Sequence, residues 1–84
     1  MKLIKIGADW CQPCKVMDKR LESFDKCPVV IYHADDEDEE TEKILEKYNV
    51  RNIPVIGLED DNGNIIKKWT GLVDIKDIEE AMKK

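Results

Sequence analysis

The chain has 84 residues, 42% hydrophobic and 39% charged, with a formal net charge of −5, so it reads as one domain over residues 1–84 with a single modest core. That apolar content is too high for a disordered acidic chain, and no apolar run approaches the ~20 residues that span a bilayer. No Lys/Arg stripe is present to track a phosphate backbone, so neither nucleic acid nor a membrane is expected as a partner.

The elements follow in chain order. Leu3 to Ile6 is a short apolar run ending at Gly7, predicted as a strand. Its apolar stretch is too short for a signal peptide, so the expected compartment is the cytoplasm. From Cys11 the period turns helical, with Val16, Met17, Leu21 and Phe24 expected on one buried face of a helix of about 14 residues. Pro13 suits its first turn, where a missing N–H breaks no bond. Val29 to Ala34 reads as a second strand, parallel to the first through a right-handed crossover. Seven of the eight residues from Asp35 to Glu42 are acidic. They read as a solvated loop entering a helix, where carboxylates meet the positive end of the dipole, and Ile44, Leu45 and Tyr48 give that helix its apolar face. Val55–Leu58 and Ile65–Trp69 flank Asp60-Asp61-Asn62-Gly63, the signature of an antiparallel hairpin. Asp74 as cap, Asp77, and a Val73–Ile78 staple open a last helix whose buried stripe is Ile75, Ile78 and Met82. The order β-α-β-α-β-β-α predicts an α/β fold with a four-stranded mixed sheet and helices on both faces.

Three cysteines cannot all pair within one molecule, and two stand together as Cys11-Gln12-Pro13-Cys14. This pair falls between the first strand and the first helix. Cys11 is expected at the helix N-terminus, where free backbone N–H groups and the dipole stabilise a thiolate, and exposed at a loop tip where it can attack a disulfide. Cys14, one turn deeper on the same face, can attack the resulting mixed disulfide and release the product. Cys27, beside Pro28, reads as a small buried apolar residue, and His33 as a strand-end residue with a satisfied hydrogen bond. A rival reading joins Cys11, Cys14, Cys27 and His33 in a zinc site of a non-catalytic interaction module. Against it, the apolar periodicity suffices to fold the chain without metal, and Trp10 and Pro13 have no role on zinc.

Trp10-Cys11-Gln12-Pro13-Cys14-Lys15 resembles the Trp-Cys-Gly-Pro-Cys-Lys active site of thioredoxins, with Gln12 in place of Gly. Lys47-Tyr48-Asn49-Val50-Arg51-Asn52-Ile53-Pro54 resembles the segment ending in that family's cis-proline, and Asn62-Gly63 and Trp69-Thr70-Gly71 fall where its hairpin turn and last-strand glycine belong. The resemblance implies a thioredoxin-like fold that lacks the family's usual first strand and helix. It also implies a protein-disulfide reductase with Cys11 as nucleophile and Cys14 as resolving thiol. Trp10, Gln12, Pro13, Ile53, Pro54 and Gly71 would line the substrate site, with the backbone of Ile53 pairing an extended substrate segment. Pro54 would be cis, the alternative being a plain strand-entry proline in trans. No metal or organic cofactor is implied, since the dithiol carries the electrons. The implied partners are protein disulfides and a thioredoxin-reductase-type flavoprotein as donor, acting on a monomer. The short chain also keeps a glutathione-dependent, glutaredoxin-like reductase in view.

The chain departs from the pattern close to the cysteines. Lys5 stands where thioredoxins carry a buried Asp, and Gly7 replaces a usual tryptophan. Lys5, with Lys15 beyond the pair, is expected to tune the potential, an effect that would shrink with Lys5 drawn to solvent or paired with one of Asp35–Asp38. A cation within ~4–6 Å of the sulfurs favours thiolate, so the expected potential lies above the roughly −270 mV of thioredoxin, near −240 mV.

Overall fold

A computed structural model describes residues 1–83 of the chain. The elements run β1 (Lys2–Gly7), α1 (Gln12–Leu21), β2 (Val29–His33), α2 (Glu39–Lys47), β3 (Val55–Glu59), β4 (Ile65–Thr70) and α3 (Ile75–Met82), the order the sequence predicts. One sheet is formed in the order β2-β1-β3-β4. β1 pairs parallel with β2, while β3 runs antiparallel to both β1 and β4.

The alternation of β1 and β3 divides the core into two layers, because successive side chains of a strand point to opposite faces. On one face Leu3, Ile56 and Leu58 pack with Met17 and Leu21 of α1 and Ile78 of α3. On the other, Ile4, Ile6 and Val55 pack with Tyr48 at the end of α2, flanked by Ile44 and Leu45. Helices therefore cover both faces.

Each helix has a local reason to start or stop. Asp38 caps α2 by accepting from the Thr41 N–H at 2.8 Å, and Glu39, Glu40 and Glu42 fill the first turn, so the acidic run is the helix entrance expected of it. Just past the end of α2, Asn49 turns the chain with φ 50°. There the Val50 N–H returns to the Leu45 carbonyl and the Asn49 N–H to that of Glu46, both at 3.1 Å, satisfying carbonyls that the helix end leaves free. In the hairpin, Gly63 has φ 87°, and Asp60 accepts from the N–H groups of Asn62 and Asn64.

Several expectations change. α1 stops at Leu21, and Phe24 is buried from the following loop. Val16, next to Met17 at 100° around the helix, falls outside the buried stripe and is exposed. Asp74 begins α3 without a side-chain cap bond; its carboxylate instead faces Arg20 Nη1 at 3.6 Å. The Val73–Ile78 staple does form, both residues being buried in one cluster, with Ile75 and Met82 partly buried beside them.

Gly57 and Tyr48 show how the second layer is fitted. The Tyr48 ring occupies the space that a Cβ on Gly57 would take, a close approach of the kind that places glycine inside a strand. Lying across β3, the ring delivers its hydroxyl to Glu59, two residues on and on the same face, at 2.6 Å. Glu59 is 1% exposed. Lys47 Nζ donates to the same carboxylate at 3.0 Å, and Lys2 Nζ lies 3.7 Å from its other oxygen. Burial alone would raise this carboxyl, but the Tyr48 and Lys47 bonds and the two ammonium charges hold it below the usual range. The Tyr48 phenol is pushed up by burial and by the Glu59 charge.

Candidate active site

β1 ends at Gly7, and the loop through Ala8, Asp9 and Trp10 carries the chain to α1. Cys11 is the N-cap of α1: its Sγ accepts from the Cys14 N–H at 3.3 Å. This N–H is one of the free donors of the first turn, and it favours negative charge on the Cys11 sulfur. Cys11 and Cys14 are joined by a disulfide, their Cα atoms 5.2 Å apart. Together with Ala8 they form a small buried cluster against which Ile53 packs.

Cys11 is not at an exposed tip. It is 6% exposed and Cys14 is fully buried, whereas Trp10 is 71% exposed. Asp9, Trp10, Gln12 and Pro13 form an exposed rim, and the sulfurs lie recessed behind it. Beside the rim an open groove is walled by Trp10, Ala34, Leu45, Val50 and Ile53.

The far side of the recess comes from the segment before β3. The Ile53–Pro54 peptide bond is cis. The Pro54 carbonyl accepts from the Gly71 N–H at 2.8 Å, and Gly71 has φ 90°, a conformation suited to glycine. Ile53 makes no backbone hydrogen bond with the other described residues. Of the residues expected to line the substrate site, Trp10, Gln12 and Pro13 flank the cysteines in sequence and Ile53 packs against them, while Pro54 and Gly71 are joined to each other by the backbone bond that extends the β3–β4 pairing. Lys15 is exposed on the outer side of α1.

Lys5 neither reaches solvent nor pairs within Asp35–Asp38. Its side chain is 3% exposed, and its Nζ lies 2.6 Å from Asp18 Oδ1 on α1. That buried oxygen has no hydrogen-bond partner, so the contact is an ion pair by distance and not by hydrogen-bond angle. Gly7 adjoins both groups: a Cβ there would stand 2.9 Å from Lys5 Nζ and 2.9 Å from Cys14 Sγ. The ammonium and the sulfur are therefore less than about 6 Å apart, within the range at which an opposite charge favours a thiolate. Asp18 was not singled out by its sequence context. Its position one helical turn beyond Cys14 is the signal that could have found it.

The other candidates stay outside the site. Cys27 is a free thiol, partly buried, and burial raises its pKa, which suits an inert packing residue. His33 ends β2 with Asp9 Oδ1 3.6 Å from its Nδ1, beyond hydrogen-bond distance, so the expected hydrogen bond is not made there. Among the described residues no three His, Cys, Asp or Glu side chains are grouped as a metal site requires, so the four-ligand zinc arrangement does not form.

A family model for a thioredoxin-like domain matches residues 2–84. The chain belongs to the thioredoxin-like domain family. It is 32% identical to the mitochondrial thioredoxin of Bos taurus over 84 residues, covering 98% of this chain and 49% of that protein. It thus spans about half the length of the curated relatives it matches. Among solved structures it is similar to a mutant thioredoxin from Halobacterium salinarum, with a TM-score of 0.80 and 25% identity, covering 98% of this chain and 71% of that one. It is also similar to mitochondrial thioredoxin 3 of Saccharomyces cerevisiae in its oxidised form, with a TM-score of 0.72 and 26% identity, covering 98% and 76%. These likenesses bear out the thioredoxin-like fold expected from the sequence. No helix among the described residues is long and apolar enough to cross a membrane.

Proposed function

We propose that this chain is a thiol–disulfide oxidoreductase that reduces protein disulfides through Cys11 and Cys14. The observation that carries the reading is the disulfide at the start of α1, with Cys11 as the capping sulfur and Cys14 sealed behind it. In the reduced protein the Cys11 thiolate attacks one sulfur of a substrate disulfide. A mixed disulfide forms, and the other substrate sulfur leaves as a thiolate that takes a proton from water. Cys14 then gives up its thiol proton and its thiolate attacks Cys11 Sγ. The Cys11–Cys14 bond closes, the second substrate thiolate departs, and two electrons have passed to the substrate. The full burial of Cys14, which leaves it open to attack only from within the molecule, supports this division of roles.

The recess selects the form of the substrate. A sulfur must pass the rim of Trp10, Gln12 and Pro13, so an extended segment lying in the groove reaches Cys11 where a bulky surface cannot. The free backbone groups of Ile53 can pair such a segment, while Pro54 and Gly71 hold that edge of the site in place. A thioredoxin-reductase-type flavoprotein would restore the dithiol of a monomeric protein, with the cytoplasm as the expected compartment.

Insulin reduction coupled to dithiothreitol tests the reading. The wild type should accelerate precipitation of the insulin chains, and Cys11→Ser should reduce the rate to background. An inert wild type, or full activity in Cys11→Ser, sinks it. Comparing NADPH plus reductase with glutathione as reductant identifies the donor, and rapid reduction by glutathione alone would move the protein to the glutaredoxin-like alternative.

A further inference from the structure

Lys5 and Gly7, both departures from the thioredoxin pattern, meet at one point. The strand alternation that sends Leu3 into the core sends Lys5 and Gly7 to the same face, under the N-terminal half of α1. There the Lys5 ammonium is nearly enclosed. It has the Asp18 carboxylate 2.6 Å to one side, and the Cys14 sulfur is across the gap that Gly7 leaves open. Asp18 is its only ionic partner among the described residues. A buried cation whose one counter-charge is half exposed is poised to take a second partner when negative charge appears on the sulfur.

We propose that the Lys5 ammonium is shared between Asp18 and Cys14. It pairs with Asp18 while the disulfide is closed, and turns to the Cys14 thiolate once the bond is reduced or the resolving step begins. Asp18 is then a positioning residue that competes with Cys14 for the cation. The ammonium keeps its protons throughout. The proton lost in the resolving step is that of the Cys14 thiol, and it passes to water. The arrangement fixes a sign that simple packing does not: Lys5 stabilises the reduced form, and Asp18, by holding Lys5, stabilises the oxidised form.

The inference rests on the proposed redox role of the cysteine pair, and one titration separates the two. Wild type, Lys5→Met, Asp18→Asn and the double variant are equilibrated with glutathione buffers, and the fraction of dithiol is read by mass after alkylation. Lys5→Met should shift the equilibrium toward the disulfide by about tenfold, about 30 mV for a two-electron couple. Asp18→Asn should shift it toward the dithiol by severalfold, and the same change made on Lys5→Met should have no effect. A shift toward the disulfide in Asp18→Asn, or no shift, overturns the sharing, as does an Asp18 effect that survives the loss of Lys5. Should Lys5→Met fail to fold, Lys5→Gln takes its place, and the sign for Asp18→Asn still decides. A wild type with no reversible equilibrium would instead overturn the redox reading itself.

Discussion

Tyr48→Phe should destabilise the domain by about 2 kcal/mol at neutral pH, the contribution of a hydrogen bond to a charged group being about 1.5–3 kcal/mol. The Tyr48 hydroxyl donates to Glu59 Oε2 at 2.6 Å, with Lys47 Nζ on the same oxygen at 3.0 Å. Removing the hydroxyl leaves Glu59 buried and charged with Lys47 and Lys2 as its remaining partners. In a domain of this size about 1 kcal/mol moves the melting midpoint by about 4–8 °C, so the variant should melt about 8–16 °C lower. The pH dependence has a definite sign. Glu59 titrates below its ordinary 4.5 in the folded state. The stability it contributes is therefore complete above that value and is lost as pH falls through the folded pKa. Tyr48→Phe raises the folded value toward the ordinary one. The gap between wild type and variant is thus full at neutral pH and shrinks in acid toward that of a neutral hydrogen bond, about 1 kcal/mol. Urea unfolding followed by circular dichroism, at neutral pH and below the usual carboxylate range, measures both. A loss under about 0.5 kcal/mol at neutral pH, or a gap that widens in acid, refutes the reasoning.

Gly57→Ala should cost about 3 kcal/mol, the upper end for overpacking, because the Tyr48 ring must move. In a double-mutant urea series with Tyr48→Phe, the loss in the double variant should be less than the sum of the two single losses, since displacing the ring already breaks the bond to Glu59. Asp38→Ala removes the bond to the Thr41 N–H and should lower the melting midpoint by about 5 °C at neutral pH. The Asp38 carboxyl is held below its ordinary 3.8 by the Thr41 hydroxyl and by that N–H bond, so the difference persists down to that value and disappears as pH falls through the folded one. Trp10→Ala, at a side chain 71% exposed, should leave the melting midpoint unchanged while lowering kcat/KM for insulin by about tenfold, as for an exposed aromatic anchor.

Much of the fold and site was legible because local signals agreed with one another. The change from strand to helical period at Cys11 placed the pair at a helix start, the Asn62-Gly63 turn fixed the hairpin, and the acidic run marked the entrance to α2. What escaped depends on the rotation of α1 against the sheet. Met17 and Leu21 dock on Leu3 and Ile56, and that docking turns Val16 outward and aims Asp18 at Lys5. No spacing along the chain states this phase. The recess around Cys11 has the same origin, since residues far apart in sequence make its walls. Glu59 was missed because its partners lie on α2 and β1. Gly57, alone in an apolar strand, was the trace of that close packing.

The wild-type potential tests the electrostatics around Cys14. At less than about 6 Å and an effective dielectric near 20, a full charge on Lys5 would stabilise a Cys14 thiolate by about 3 kcal/mol. Asp18 draws on the same ammonium and cancels part of this, though water screens its exposed side. A remainder of about 1.4 kcal/mol corresponds to about 30 mV for a two-electron couple. The potential should therefore lie near −240 mV, above the roughly −270 mV of thioredoxin and far below the roughly −120 mV of a dedicated oxidant. Lys5→Asp replaces attraction by repulsion and adds a second carboxylate beside Asp18, so it should lower the value by at least 30 mV, about tenfold in the equilibrium constant. Glutathione titration of both proteins gives the numbers. A wild-type value at or below that of thioredoxin, or a Lys5→Asp value no lower than wild type, would mean that the ammonium beside Cys14 does not govern the pair.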